Sequence, residues 1–326
     1  MKNCKNPLLL LREAYNKSKI NRWDYIDKMH EYNKVLTWIA ENLDQTDIQS
    51  IQITKSGLLF TTRKDCLQLV CNGVDRRVAP LDILNFGNYE AEEIDFLQKI
   101  LKQGSVVMDI GANIGWNSLV LNTRVDGLVI HAFEPIRETF NYLVTNVTLN
   151  KSMNMKCHNL AISNVDGFKD FYYYPSGSVL ASEKNLLNNQ KAVVTRCQTK
   201  TLDAFVEEED IKKIDFIKCD VEGTELFVLE GAQSITLQQK PIFQLEICVK
   251  WIEQFNYIAN DILAFLSNFG YKAFYLWQNK LVQVTSVDRE YEEVNYNFFF
   301  LHKDKHKNII NLFEKKSGNN ATITIS

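Results

Sequence analysis

An α/β fold built on a doubly wound, mostly parallel sheet is what this sequence predicts, and three observations predict it. From residue 105 onward, apolar runs of strand length alternate with helical stretches and are joined by short turns. The run Val106 to Ile110 passes directly into the glycine turn Gly111-Ala112-Asn113-Ile114-Gly115. A second run, Val129 to Phe133, ends on Glu134-Pro135. Buried parallel strands read as continuous apolar segments, and a helix between them returns the chain to the same end of the sheet.

The elements follow in order. Residues 1 to about 50 are expected to be helical, because Ile26, Met29, Tyr32, Leu36, Ile39 and Leu43 recur at steps of three and four and form one apolar stripe. Ile48 to Ile53, Leu58 to Thr62 and Leu67 to Val70 alternate and predict a small antiparallel element. A loop containing Pro80 and Gly87 leads into a helix over Glu90 to Leu101, closed by Gly104. Strand 106–110 precedes a helix from about 115 to 123, and strand 128–133 precedes one from 136 to 149. A third strand lies near 155–162. A β-hairpin pairs Phe168 to Tyr174 with Ala192 to Gln198. Strand 214–219 leads to a helix from Thr224 to Leu237, and strand 242–247 to one from Ile258 to Phe269, capped by Gly270. Tyr271 to Trp277 and Asn297 to His302 close the sheet with no long helix between them, so an antiparallel strand is expected there. Residues 305–326 are polar and aperiodic and read as a frayed tail. The chain thus divides into a cap at 1–85, a main domain at 86–304 and a tail at 305–326.

Composition narrows the function. A chain of 326 residues can bury a large core, and a formal charge of -3 sets up no global field for nucleic acid or an anionic membrane. No apolar run approaches the ~20 residues of a membrane span. The basic lead Met1 to Pro7 meets only a short apolar run, Leu8 to Leu11, before Arg12 and Glu13, which is too little for a secretory signal. Seven cysteines are scattered, odd in number and never spaced as CxxC. Reduced thiols, a cytoplasmic setting and no zinc site are expected.

Ligands of doubly wound sheets bind at the carboxyl ends of the strands, so the residues there carry the chemistry. They are Asp109 and the glycine turn, then Glu134, then Asn159 to Ala161, then Asp220-Val221-Glu222-Gly223-Thr224-Glu225, and Glu246. Gly111 and Gly115 lack the Cβ atoms that would keep a ligand off the backbone. Glu134 is placed to accept hydrogen bonds from both hydroxyls of a ribose. Read alone, it is better explained as a charge at a helix start, with Pro135 at the first helical position; the glycine turn and Asn113 beside it are what favour cofactor binding. A GxNxG turn departs from the GxGxxG of dinucleotide binders and favours S-adenosylmethionine, whose ammonium and sulfonium suit a carboxylate-lined site. Glu222 and Glu225 sit where acids stabilise a helix anyway, so function and helix stability are evenly matched for them. His131 reads as a core histidine, His158 stays open, and His302 with His306 reads as a solvated face and not a metal site. Tyr89, Trp116 and Phe171 to Tyr174 read mainly as packing aromatics.

With these residues in view, the chain resembles the FkbM-type methyltransferases. The resemblance rests on Val107 to Gly115, Phe133-Glu134-Pro135, Thr201-Leu202-Asp203, Ile214 to Glu225, Val228 to Ala232 and Leu245-Glu246-Ile247, and spans roughly residues 86–300. Its most specific piece is Asp220-Val221-Glu222-Gly223-Thr224-Glu225. It implies the class I methyltransferase fold, with seven strands of which the last is antiparallel, binding S-adenosylmethionine and transferring methyl to hydroxyls of sugars, glycans or secondary metabolites. Carried onto this chain, it implies that Asp109, Gly111, Asn113 and Gly115 hold the methionine part, Glu134 the ribose and Ala161 the adenine, with Asp220 facing the methyl donor. Cys219 departs from the small or β-branched residue usual there, and packs like one.

Methyl transfer to a hydroxyl needs alignment and a base. Asp220, Glu222 and Glu246 are the candidates, in no order. Metal assistance through Asp220 and Glu246 is the lesser reading, and no resident metal is expected. Three rivals remain. A nucleic-acid methyltransferase is disfavoured by five unpaired prolines, which leave no Asx-Pro-Pro-aromatic motif, and by the net charge. A dehydrogenase is disfavoured by GxNxG. A cofactor-binding module without catalysis is disfavoured by the full set of cofactor positions. The acceptor pocket is expected from the cap, the hairpin and residues 277–297.

Overall fold

Two helices open the chain in the computed structural model, which describes residues 6–55, 57–188, 191–287 and 297–314. The first, α1 (Pro7–Asn16), begins on a proline, whose missing N–H costs nothing in a first turn. The second, α2 (Arg22–Asn42), is capped by the Asn21 side chain, which accepts hydrogen bonds from the Trp23 and Asp24 amides. The apolar stripe does not bury as expected. No residue of α2 is buried, and Ile26, Tyr32 and Leu36 are 41, 43 and 51 % exposed. Helical spacing specifies a helix but not a partner. Here α2 packs on α1, with Tyr15 stacked on Tyr25.

Strands β1 (Ile48–Thr54), β2 (Gly57–Thr62) and β3 (Gln68–Val70) make the expected antiparallel element. The loop expected around Pro80 is instead a helix, α3 (Ala79–Phe86). Pro80 lies in its first turn, and Gly87 ends it at φ 92°. Helix α4 (Ala91–Ile100) follows.

Then strands and helices alternate: β4 (Val106–Ile110), α5 (Trp116–Arg124), β5 (Val129–Phe133), α6 (Arg137–Leu149) and β6 (Met155–His158). The single strand expected near 155–162 breaks at Asn159. Its side-chain amide donates to the Glu134 and Pro135 carbonyls, and β7 (Ala161–Ile162) departs into a second sheet. That sheet contains β8 (Gly167–Tyr174), β9 (Gly177–Ser182) and β10 (Val193–Lys200) in the order β7-β10-β8-β9. The expected pairing of β8 with β10 is present, with Val193 opposite Tyr173. Strand β9 was not anticipated from its small and polar residues, and it forms the tight hairpin with β8.

Helix α7 (Leu202–Glu208) and β11 (Phe216–Cys219) come next. The helix expected over Thr224 to Leu237 divides at Gly231 into α8 (Glu225–Glu230) and α9 (Gln233–Gln238). The chain continues through β12 (Ile242–Glu246), α10 (Val249–Ile252), α11 (Ala259–Asn268), β13 (Tyr271–Trp277), β14 (Lys280–Val284), β15 (Asn297–His302) and α12 (Lys307–Phe313).

The main sheet runs β14-β13-β15-β12-β11-β4-β5-β6. Strands β12, β11, β4, β5 and β6 are parallel, and β15 is antiparallel to β12 and β13. This is the class I methyltransferase sheet with β14 added as an eighth strand at the edge. Residues 280–284 therefore extend the sheet instead of building a pocket, while 288–296 lie outside the described residues. The expected tail begins with α12, whose Ile310 is buried. His302 and His306 are not a solvated face either, being 4 and 7 % exposed. His306 Nδ1 accepts the His302 amide at 2.9 Å, and His302 Nδ1 accepts the Asp304 and Lys305 amides.

Both faces of the sheet are packed. Ile48, Phe60 and Leu69 share one core with Val107, Leu119 and Phe299, so residues 48–86 have no core of their own. Asn146 of α6 and Asn150, which caps its end, complete the join. Asn150 and Asn146 Oδ1 accept the Gln68 and Val70 amides, both at 2.8 Å, and satisfy the edge of β3.

Candidate active site

At the carboxyl end of β4 the chain must turn at once into α5, and it does so beside the end of β11. The Gly111 and Ala112 amides both donate to the Phe133 carbonyl. A Cβ on Gly111, at φ 84°, would stand 1.8 Å from the Asp220 carbonyl oxygen. Gly111 is therefore glycine because two strand ends converge there, not because a ligand needs the room. Gly115 likewise makes way for Leu143 of α6. Asn113 holds φ 50°, which asparagine tolerates. Its Oδ1 accepts the Ile114 amide at 2.8 Å, and its Nδ2 donates to Ser178 Oγ on β9 at 3.2 Å.

Glu134 ends β5 and is 4 % exposed. Its two oxygens accept the Ile136 amide at 2.8 Å and the Asn113 amide at 3.1 Å. It is thus both the helix-start acid and the clamp of the glycine turn. Burial pushes its pKa up to about 8, although the two amide hydrogen bonds pull the other way.

Three carboxylates meet on the other side. Asp220, Glu222 and Glu246 bring ligand oxygens within 4.8 Å of one another. Beneath them lies Lys218, 5 % exposed, donating to Asp220 at 2.8 Å. Burial alone would depress this ammonium, but Asp220, Glu90 and Asp109 hold its pKa well above the usual lysine value. Burial also works to raise Asp220. Lys218 and a hydrogen bond donated by Glu246 outweigh it and keep Asp220 below the usual range. Glu246 and Glu222 are pushed well up, by burial first and then by the Asp220 charge. The surroundings thus favour the charged form at Asp220 and the neutral form at Glu222 and Glu246.

Strain gathers here as well: Glu90 and Glu222 are non-glycine residues at φ 49° and 53°. Glu225, equally balanced with Glu222 in sequence, has a structural task. It is 1 % exposed, and its Oε1 accepts the Gly223 and Val221 amides.

Glu134, Asn113, Gly111, Ala161, Asp220, Glu222 and Glu246 all line one cavity. Asp109 and Gly115 stand behind its wall. Asp109 is 2 % exposed and accepts the Ser118 hydroxyl at 2.6 Å. Sequence reasoning missed Lys218 and Arg77, which also line the cavity, and Glu90 behind it. A lysine inside an otherwise apolar strand was a signal, since buried lysines need partners. Arg77 lies in the segment before α3 and had none. His131 is a core histidine as expected, 2 % exposed with Nδ1 3.1 Å from His158 Nε2. That contact also places His158 outside the carboxylate cluster.

Several features suit an adenosine-type ligand. Leu160, Ala161 and Ile162 form an apolar wall beside Glu134. Trp116 lines the cavity, and its indole N–H has no hydrogen-bond partner among the described residues.

A family model described as the methyltransferase FkbM domain matches residues 109–273, half of the chain. The hexuronic acid methyltransferase AglP of Haloferax volcanii is 28 % identical over 142 residues, covering 44 % of this chain and 56 % of that protein. The 31-O-demethyl-FK506 methyltransferase FkbM of Streptomyces tacrolimicus is 26 % identical over 160 residues, covering 41 % and 61 %. The chain spans less than two thirds of the length of the curated relatives it matches. Among solved structures, methyltransferase FkbM from Methylobacillus flagellatus KT superposes with a TM-score of 0.40 at 16 % identity, over 62 % of this chain and 45 % of that one.

Proposed function

The chain belongs to the FkbM methyltransferase family, and from that premise we propose that it is an S-adenosylmethionine-dependent O-methyltransferase acting on a hydroxyl of a sugar, glycan or secondary metabolite. The observation that carries the reading is that Glu134 and the Asp220 cluster line the same cavity. Glu134 follows β5 and Asp220 follows β11, two strand spacings apart, or about 10 Å.

In this reading Glu134 accepts the ribose hydroxyls, and Leu160, Ala161 and Ile162 pack on the adenine. Gly111 and Asn113 border the methionine part, with Asp109 behind them bracing α5 through Ser118. When bound, the cofactor supplies an electrophilic methyl group on a sulfonium. Asp220 is the base for the acceptor hydroxyl, because it alone of the three carboxylates is held ionised. Lys218 fixes its orientation, and the protonated Glu246 bonds to it from the other side. The test is transfer of labelled methyl to hydroxylated sugars and metabolites. The product is expected to be an ether that survives mild base, and a base-labile ester would overturn O-transfer to a hydroxyl.

Two further outcomes are expected. In the free protein the Glu134 proton contributes stability that is complete below the ordinary carboxyl value of 4.5 and is lost as pH rises through about 8. Glu134→Gln should therefore flatten the decline of melting temperature over that range. It should also weaken S-adenosylhomocysteine binding by ~0.5–1.5 kcal/mol, because glutamine keeps only one of the two acceptor oxygens. Equal affinity would reduce Glu134 to a clamp of the turn. The close approach of Asp220, Glu222 and Glu246 also suits a divalent cation. Proton sharing within the cluster predicts full turnover after exhaustive chelation. Loss of turnover restored by Mg²⁺ would make the cluster a metal centre instead.

A further inference from the structure

The segment leading into α3 is fixed to the β8–β9 hairpin at several points. Asp75, 3 % exposed, accepts the Ser178 amide through Oδ2 and the Arg77 amide through Oδ1, each at 3.0 Å. The Arg76 amide donates to the Ser176 carbonyl. A buried carboxylate thus sets the backbone of Arg77, whose side chain lines the cavity. The guanidinium is close enough to act on the charges of Asp220, Glu222 and Asp82. Yet it forms no ion pair and no side-chain hydrogen bond among the described residues. Asp220 is taken by Lys218, burial disfavours a charge on Glu222, and Asp82 lines the same cavity but forms no ion pair with the exposed guanidinium. Arginine presents a planar fork of donors that suits carboxylate and phosphate.

Arg77 also precedes the residues shared with the family, 109–273, which hold every cofactor position assigned above. It is a cap residue on the acceptor side. A neutral sugar would need no such cation, whereas an anion entering beside the Asp220 charge would be repelled without one.

We propose that the methyl acceptor carries an anionic group, a carboxylate or a phosphate, near its reacting hydroxyl, and that Arg77 holds it. The proposal rests on the methyltransferase reading, and it names the substrate class of that same site. The step is unchanged: the acceptor oxygen would take the methyl as its bond to the sulfonium sulfur breaks and S-adenosylhomocysteine leaves, the hydroxyl proton would pass to Asp220, and Arg77 would hold the anion and set the approach.

The test measures binding of glucuronate, glucose 6-phosphate and glucose to the full-length protein by saturation-transfer NMR, with and without S-adenosylhomocysteine. Wild type, Arg77→Gln and Arg77→Lys are compared. At least one anion should bind wild type tenfold or more tighter than glucose, and which one separates carboxylate from phosphate. Arg77→Gln should lose that preference, Arg77→Lys should keep part of it, and S-adenosylhomocysteine affinity should stay within about twofold. Glucose binding as well as the anions, no binding of either anion, or full anion binding by Arg77→Gln would overturn the proposal. A comparable loss of S-adenosylhomocysteine affinity in Arg77→Gln would assign Arg77 to the cofactor, sinking the proposal while the methyltransferase reading stands. Wild type that fails to bind S-adenosylhomocysteine would instead sink that reading.

Discussion

Asp220→Asn is expected to lower methyl-transfer turnover by ~10²–10⁴-fold, the range of general base catalysis. Asparagine keeps the shape of the side chain and an oxygen for Lys218 Nζ, now 2.8 Å from the carboxylate, but it takes no proton. Glu246→Gln and Glu222→Gln should cost less than about tenfold. An amide imitates the protonated carboxyl that burial and the Asp220 charge enforce at both positions. Turnover of the three variants is measured together, with circular dichroism to confirm folding. A large loss in Glu246→Gln with Asp220→Asn near normal would move the base to Glu246.

Gly111→Ala is expected to destabilise the whole protein by ~3–5 kcal/mol or prevent folding, the scale of the severest single substitutions. The new Cβ would lie 1.8 Å from the Asp220 carbonyl oxygen, and alanine disfavours φ 84°. Neither neighbour is a mobile side chain, so the ends of β4 and β11 must separate. Thermal melting distinguishes this from loss of ligand space alone. A variant that melts like wild type but binds no S-adenosylhomocysteine would contradict the packing argument.

The parallel strands were legible because burial on both faces makes them nearly continuous apolar runs, as in Val129 to Phe133, interrupted by His131, and Ile242 to Leu245, interrupted by Gln244. The carboxylates at their ends were legible because the topology puts every such end at one edge. Elements whose residues are ambiguous were not. Strand β9 is Gly177 to Ser182, four of its six residues small or polar, and β14 lies at the edge of the sheet. Pro80 with Gly87 suggests a loop, yet a helix's first turn accepts proline. The stripe of α2 announced a helix and gave no information about what it faces. The cavity wall shows the same limit. Asp220, Glu222 and Glu246 come together because β11 and β12 are neighbours. Arg77 reaches the wall through tertiary hydrogen bonds of Asp75 to Ser178, a separation in sequence that no local pattern records.

The most direct test of the central claim is calorimetric titration of the wild-type protein with S-adenosylhomocysteine and, separately, with NAD. The cavity joining Glu134 to Asp220 predicts saturable binding of one S-adenosylhomocysteine per chain and no heat from NAD. Heat from NAD with none from S-adenosylhomocysteine would contradict the assignment of the cofactor and the reaction built on it.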